Sequence, residues 1–163
     1  IGPNGAGKTT LGRALGQKAG LPFVEMAREV EDVAGMSLDQ IFDLSGQSGY
    51  RRYERRALER ALDGNKTCVI ATGGSIVSEP ATYDLLLNNC FTVWIKASPE
   101  EHMARVIAQG DMRPMAGNSE AMADLRGILA ERTALYGKSV EASVAELLEA
   151  LKQAPSTETA AVA

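Results

Sequence analysis

Cysteine, histidine and basic charge are all scarce in this chain, and each scarcity narrows what it can be. Cys68 and Cys90 are the two cysteines of 163 residues and stand in no metal-ligand spacing, so the expectation is buried free thiols in a reducing cytoplasm. His102 is the single histidine and falls early in a helical stretch, where a surface or packing role is expected. The formal net charge is -4, which argues against attraction of the whole surface to nucleic acid or anionic membrane. Any anion site must therefore be a local pocket. Long hydrophobic runs are missing as well. Cys68 to Ala71 and Phe91 to Ala97 are strand-sized, far short of the roughly 20 apolar residues that span a bilayer. A membrane partner is not expected.

What is present reads as one α/β domain over residues 1–153, followed by a frayed tail at 154–163 rich in Ala, Ser and Thr. Leu11 to Ala19 is a helix stopped by Gly20 with Pro22 beyond it. Pro22 to Met26 reads as a short buried strand. Ser37 with Gln40 forms a capping box ahead of Ile41, and a longer helix is expected from about Gly49 to Leu62. Strands at 67–72 and 91–97 bracket a helix near 80–87. Ser98-Pro99-Glu100-Glu101 starts another helix, and one more runs over 119–136. Strands alternating with helices imply a parallel sheet. Residues 109–118 form a loop long enough to act as a lid.

The strongest signal is Gly2-Pro3-Asn4-Gly5-Ala6-Gly7-Lys8-Thr9, which satisfies the Walker A pattern and opens a helix. Glycines let backbone N–H groups turn toward phosphate oxygens, Lys8 supplies a point charge, and Thr9 offers a hydroxyl to Mg²⁺. The nucleotide-binding stretch comprises Gly2, Asn4, Gly5, Ala6, Gly7, Lys8, Thr9 and Thr10. Such a loop needs a supporting strand before it, so residues upstream of Ile1 are expected in a parent chain.

Other candidates are weaker. Arg51, Arg52, Arg55, Arg56 and Arg60 share one helix. Either they form a solvated face balanced by Glu54 and Glu59, or at least Arg51 points into a cleft and binds a carboxylate or phosphate. Gly73-Gly74-Ser75 follows a strand, where ligands collect in open α/β sheets, although a tight turn explains it too. Trp94 reads as core.

Taken in order, the Walker A loop, Phe23-Val24-Glu25, the Tyr50-Arg51-x-x-Glu54 segment, Gly73-Gly74, Arg113-Pro114, and Arg132 before Leu135-Tyr136 resemble the shikimate kinase family over nearly the whole chain. The resemblance implies a P-loop fold of the nucleoside monophosphate kinase type, with ATP and Mg²⁺ as cofactors. It implies catalytic roles for Lys8, Glu25 and Arg113 and metal contacts from Thr9 and Glu25. Arg51 and Arg132 would hold the substrate carboxylate, and Gly73, Gly74 and Ser75 would line its ring.

Three departures accompany it. Where the family has an Asp-x-Asp pair, this chain has Glu25-Met26-Ala27, and Ala27 cannot take a proton. A third glycine has become Ser75. After Tyr136, Gly137-Lys138 leads straight into an amphipathic stretch over 139–153, so the last strand is expected to be missing, as the first is expected to be cut short.

A second resemblance covers residues 71–118, including Gly73-Gly74-Ser75-Ile76-Val77-Ser78-Glu79-Pro80 and Gly110-Asp111-Met112-Arg113-Pro114. It is to the C-terminal domain of benzoyl-CoA-responsive transcriptional regulators, and it implies an aromatic acyl-CoA effector such as benzoyl-CoA. DNA would then be a partner only through a helix-turn-helix outside these residues. The leading expectation is therefore a sensor that binds an aromatic acyl-CoA, its small-molecule ligand, without turnover; the alternative is a genuine kinase, ATP to shikimate, using Glu25 as metal or base group, and a third reading is a bare nucleotide-binding scaffold. A homodimer is compatible with each.

Overall fold

A computed structural model of the chain describes residues 1–3, 5–64, 67–96, 98, 100, 121–143, 146 and 149. Helix α1 (Lys8–Ala19) begins at Gly7, whose φ of 89° is open to glycine, and ends at left-handed Gly20. Gly12 faces Phe23 so closely that a Cβ there would lie 2.7 Å from the ring. That absence of a side chain lets α1 settle onto strand β1 (Phe23–Glu25). β1 pairs in parallel with β2 (Val69–Ala71), setting Glu25 opposite Ala71.

Helix α2 (Met26–Ala34) starts directly from β1 and buries Met26 and Val30, one turn apart on the same face. It was not anticipated, and it shortens the strand expected over 22–26. The expected capping box is present: Ser37 N donates to Gln40 Oε1 at 3.0 Å, and Gln40 N donates to Ser37 Oγ at 3.3 Å. It opens α3 (Leu38–Gly64), which bends at Gly46 (φ 59°, ψ -165°), so the expected helix from Gly49 is the second limb of a longer, kinked one. A 3₁₀ turn (Ile76–Ser78) follows the glycines, and α4 (Pro80–Asn89) takes Pro80 as its first residue.

Strand β3 (Val93–Lys96) is flanked on two sides. Ile1 N donates to Val93 O and Ile95 N donates to Ile1 O, both at 2.8 Å. On the other side, after helix α5 (Ala121–Tyr136), strand β4 (Val140–Ser143) pairs in parallel with β3 through Val93↔Val140 to Lys96↔Ser143. This corrects the expected loss of the last strand. Locally, 139–153 has the spacing of an amphipathic helix, but β3 offers an unpaired ladder that only extended backbone can satisfy, and tertiary pairing overrides so weak a propensity. Glu146 and Glu149, beyond β4, are helical.

Beside Ile1, β2 and β3 border a cavity of about 620 Å³ lined by Cys68, Val69, Ala71, Cys90 and Val93 among others. Both thiols are free and half-buried rather than buried. The core joins Met26, Val30, Ile41, Leu58, Ile76, Tyr83, Leu86 and Tyr136 around Trp94, which is 6% exposed as expected and stacks on Tyr136 at 5.2 Å. Expectations for Ser98-Pro99-Glu100-Glu101 as a helix start, His102, the lid at 109–118 and the tail at 154–163 fall wholly or in part outside the described residues. No helix among the described residues is long and apolar enough to cross a membrane.

Candidate active site

The carboxyl ends of β1 and β2 meet the start of α1, and that junction gathers the candidate residues. The loop before α1 is fixed by Gly2, Gly5 and Gly7, with φ of 149°, 77° and 89°. At Gly2 a Cβ would fall 2.5 Å from Ile95 O, so only glycine lets the loop lie this close to β3. Ala6 N donates to Pro3 O at 3.2 Å, closing a tight turn. The Lys8 ammonium folds back to donate to the same carbonyl at 2.7 Å. Burial without a counter-anion pulls its pKa down from 10.5 to about 8. An oligophosphate would supply the missing charge. Asn4 lies outside the described residues, and Thr10 is exposed at the start of α1.

Thr9 Oγ1 donates to Glu25 Oε1 at 2.9 Å, tying the first turn of α1 to the end of β1. Two hard oxygens at this spacing fit Mg²⁺, which keeps most of its waters and takes one or two protein oxygens. The other oxygen of Glu25 faces Arg13 at 3.7 Å and Arg28 at 3.5 Å. Both carboxylate oxygens are thus engaged, which leaves Glu25 poorly placed to serve as a proton acceptor as well. Ala27, the second residue of α2, is exposed and offers only a methyl group.

Arg51 stands apart from the other arginines of its helix. Its side chain is only 12% exposed and donates to Glu54 Oε2 at 2.6 Å, while Arg52, Arg55, Arg56 and Arg60 are solvent-facing. Glu54 is itself 1% exposed and accepts a second bond at Oε1 from the Tyr50 hydroxyl at 3.0 Å. A Cβ on Gly73 would sit 3.3 Å from that hydroxyl and 3.5 Å from Glu54 Oε1, so the glycine turn packs directly on this cluster. Burial raises the Tyr50 pKa, keeping it a donor at any working pH.

The opposite side comes from α5. Tyr136 donates to Gly74 O at 2.6 Å, and burial pushes its pKa up to about 12. Arg132 lies one turn earlier on the same helix face and forms no ion pair among the described residues. Ser75 follows at the start of the 3₁₀ turn. The fold therefore brings together Lys8, Thr9, Glu25, Arg51, Gly73 and Gly74 and sets Arg132 one helical turn before the Tyr136 that bonds Gly74 O, whereas Arg113 falls outside the described residues. Three contributors had no site role assigned from sequence: Glu54, expected only to balance a solvated arginine face, and Tyr50 and Tyr136, quoted only as part of the family pattern. The spacing of Tyr50, Arg51 and Glu54, three and four residues apart on a helix, was the signal that could have found the first two.

Comparison with known proteins gives one answer throughout. The family model described as shikimate kinase matches residues 4–158. A shikimate kinase of Symbiobacterium thermophilum is 34% identical over 165 residues, covering 94% of each chain. One from Stenotrophomonas maltophilia (strain R551-3) is 37% identical, covering 83% of this chain and 74% of its own. Among solved structures, shikimate kinase from Acinetobacter baumannii in complex with shikimate superposes with a TM-score of 0.79 at 25% identity, over 93% of this chain and 86% of that one.

Proposed function

The chain belongs to the shikimate kinase family, and on that premise we propose that it transfers the γ-phosphoryl group of ATP to a hydroxyl of shikimate, at a rate limited by the methyl group of Ala27. The observation that carries this reading is the meeting of the phosphate loop and the Gly73-Gly74 turn at one sheet end, with the Arg51–Glu54 pair packed behind the turn and Tyr136, one helical turn after Arg132, bonded to Gly74 O. Guanidiniums suit a carboxylate, and Arg51 and Arg132 are the two that the family resemblance assigns to it.

In this reading the main-chain amides ahead of Lys8 cradle the phosphates, and the Lys8 ammonium swings from Pro3 O to the transferring group. Thr9 and Glu25 would hold Mg²⁺, and a bound Mg²⁺ would supply charge neutralisation at the phosphate oxygens. The family resemblance gives Arg113, outside the described residues, a part in holding the same phosphates. The substrate hydroxyl oxygen forms the new P–O bond as the bond to the β-phosphate oxygen breaks. Its proton passes to the transferred phosphoryl group or to water, since no carboxylate stands at residue 27. Phosphoryl transfer has a loose transition state that makes little demand on the nucleophile, so transfer continues slowly without that base.

The sensor expected from Ala27 and from the regulator-like segment over 71–118 gains no support from the comparisons, which are with shikimate kinases; as a second reading, an aromatic acyl-CoA sensor now rests on Ala27, because a sensor needs binding without turnover. Titrating the protein with shikimate plus ATP and, separately, with benzoyl-CoA decides between them. Shikimate binding with ADP release supports the kinase. Selective benzoyl-CoA binding with no ADP release would replace it with the sensor.

A further inference from the structure

The end of α5, just beyond Arg132, is held from outside by a buried tyrosine of α4. Tyr83 is 2% exposed, and its hydroxyl meets Leu135 O at 3.1 Å and Ser139 Oγ at 2.9 Å. A carbonyl can only accept, so the phenol proton lies on Leu135 O and the Ser139 hydroxyl donates to the Tyr83 oxygen. Leu135 O belongs to the last turn of a helix, whose carbonyls lack the usual partner four residues on. Ser139 N bonds Tyr136 O instead, at 2.9 Å, and Lys138 N reaches Leu135 O only at 3.5 Å. The Tyr83 hydroxyl therefore supplies the shorter bond to this carbonyl. Tyr136, the next residue, crosses the other way and donates to Gly74 O at 2.6 Å. Two phenols thus tie the end of α5 to the block formed by the glycine turn and α4, within a turn of Arg132.

We propose that Tyr83 is a positioning residue for the substrate: by capping Leu135 O, its hydroxyl fixes the last turn of α5 and so sets where the Arg132 guanidinium reaches. The proposal rests on the kinase reading for the identity of the substrate and the role of Arg132, but the hydrogen bonds do not depend on it. None of the hydrogen bonds or ring contacts of Tyr83 among the described residues involves Lys8, Thr9, Glu25 or Arg51, so the effect should fall on shikimate and spare ATP.

The test is Tyr83→Phe, which removes one oxygen and keeps the ring. Steady-state kinetics should show KM for shikimate raised about three- to tenfold, part of what losing a whole bond to a charged group would cost, with kcat and KM for ATP within about twofold. Ser139→Ala keeps the bond to Leu135 O and should leave both KM values within about twofold of wild type. The Nε–H resonance of Arg132, assigned from its absence in Arg132→Lys, should shift in substrate-free Tyr83→Phe and hold its place in Ser139→Ala. An unmoved KM for shikimate in Tyr83→Phe would overturn the proposal whether or not Tm falls. So would equal rises in both KM values, which would mark a general loosening. A rise in Ser139→Ala that matches Tyr83→Phe would overturn it too, by placing the effect at the start of β4. If the wild-type protein neither binds nor phosphorylates shikimate, the kinase reading falls, while the Arg132 resonance still decides whether Tyr83 fixes that side chain.

Discussion

Ala27→Asp tests most sharply whether the site lacks a proton acceptor. Ala27 is the second residue of α2, directly after the strand that delivers Glu25, and it is exposed. Both Glu25 oxygens are engaged, one by Thr9 at 2.9 Å and the other by Arg13 and Arg28. If that engagement prevents Glu25 from acting as base, a carboxylate at 27 supplies a function now missing. General-base help is typically worth about 10²- to 10⁴-fold. The loose transition state of phosphoryl transfer places the gain at the low end, about 10²-fold in kcat, or roughly 2.7 kcal/mol of barrier. Folding should not interfere. An acidic residue in the first turn of a helix stabilises by about 0.3–1 kcal/mol, so Tm should rise by about 1–3 °C. ADP release measured with a pyruvate kinase and lactate dehydrogenase couple, at saturating ATP and varied shikimate, gives the answer. A gain below about threefold in a variant that still binds both substrates would refute the reasoning and return the base to Glu25.

Other consequences follow from the same contacts. The charged form of Lys8 binds phosphate and its pKa is lowered to about 8, so ATP affinity should be flat below that pH and fall by about tenfold per unit above it, as calorimetry across pH 6.5–10 would record. The same depression means that the unfolded chain holds more protons between 8 and 10.5, so Lys8 should cost less stability as pH rises through that window. Gly2→Ala places a Cβ 2.5 Å from Ile95 O at a φ of 149°; the backbone strain alone is about 1–3 kcal/mol, and thermal melts should show Tm falling together with ATP affinity. Tyr136→Phe removes the 2.6 Å bond to Gly74 O; a loss of about 0.5–1.5 kcal/mol should appear in melts, with KM for shikimate rising because α5 also carries Arg132.

The parts of the site legible in sequence were those fixed by local chemistry. The loop from Gly2 to Thr9 announces itself because its conformation requires glycine at set positions, and the Ser37/Gln40 box because its partners are three residues apart. Gly20 marked a helix end for the same reason. What escaped depended on distant chain. Val140 to Ser143 becomes a strand because β3 is waiting beside it, which nothing in those four residues reveals. Helix α2 begins at the residue after β1 ends, with no cap or turn residue to announce it. Arg51 could be singled out, yet its fate was decided by burial of Glu54 beneath the Gly73 turn, a packing outcome that helical spacing alone leaves open.

In the proposed reaction a phosphate loop and a carboxylate-binding pocket work together to move a phosphoryl group. Phosphorus-31 NMR of the protein with ATP, Mg²⁺ and shikimate reads this directly. The γ-phosphorus signal should diminish as a phosphomonoester resonance grows, with no growth after Lys8→Ala. Persistence of the ATP signals over many hours, or conversion to inorganic phosphate alone, would contradict the account.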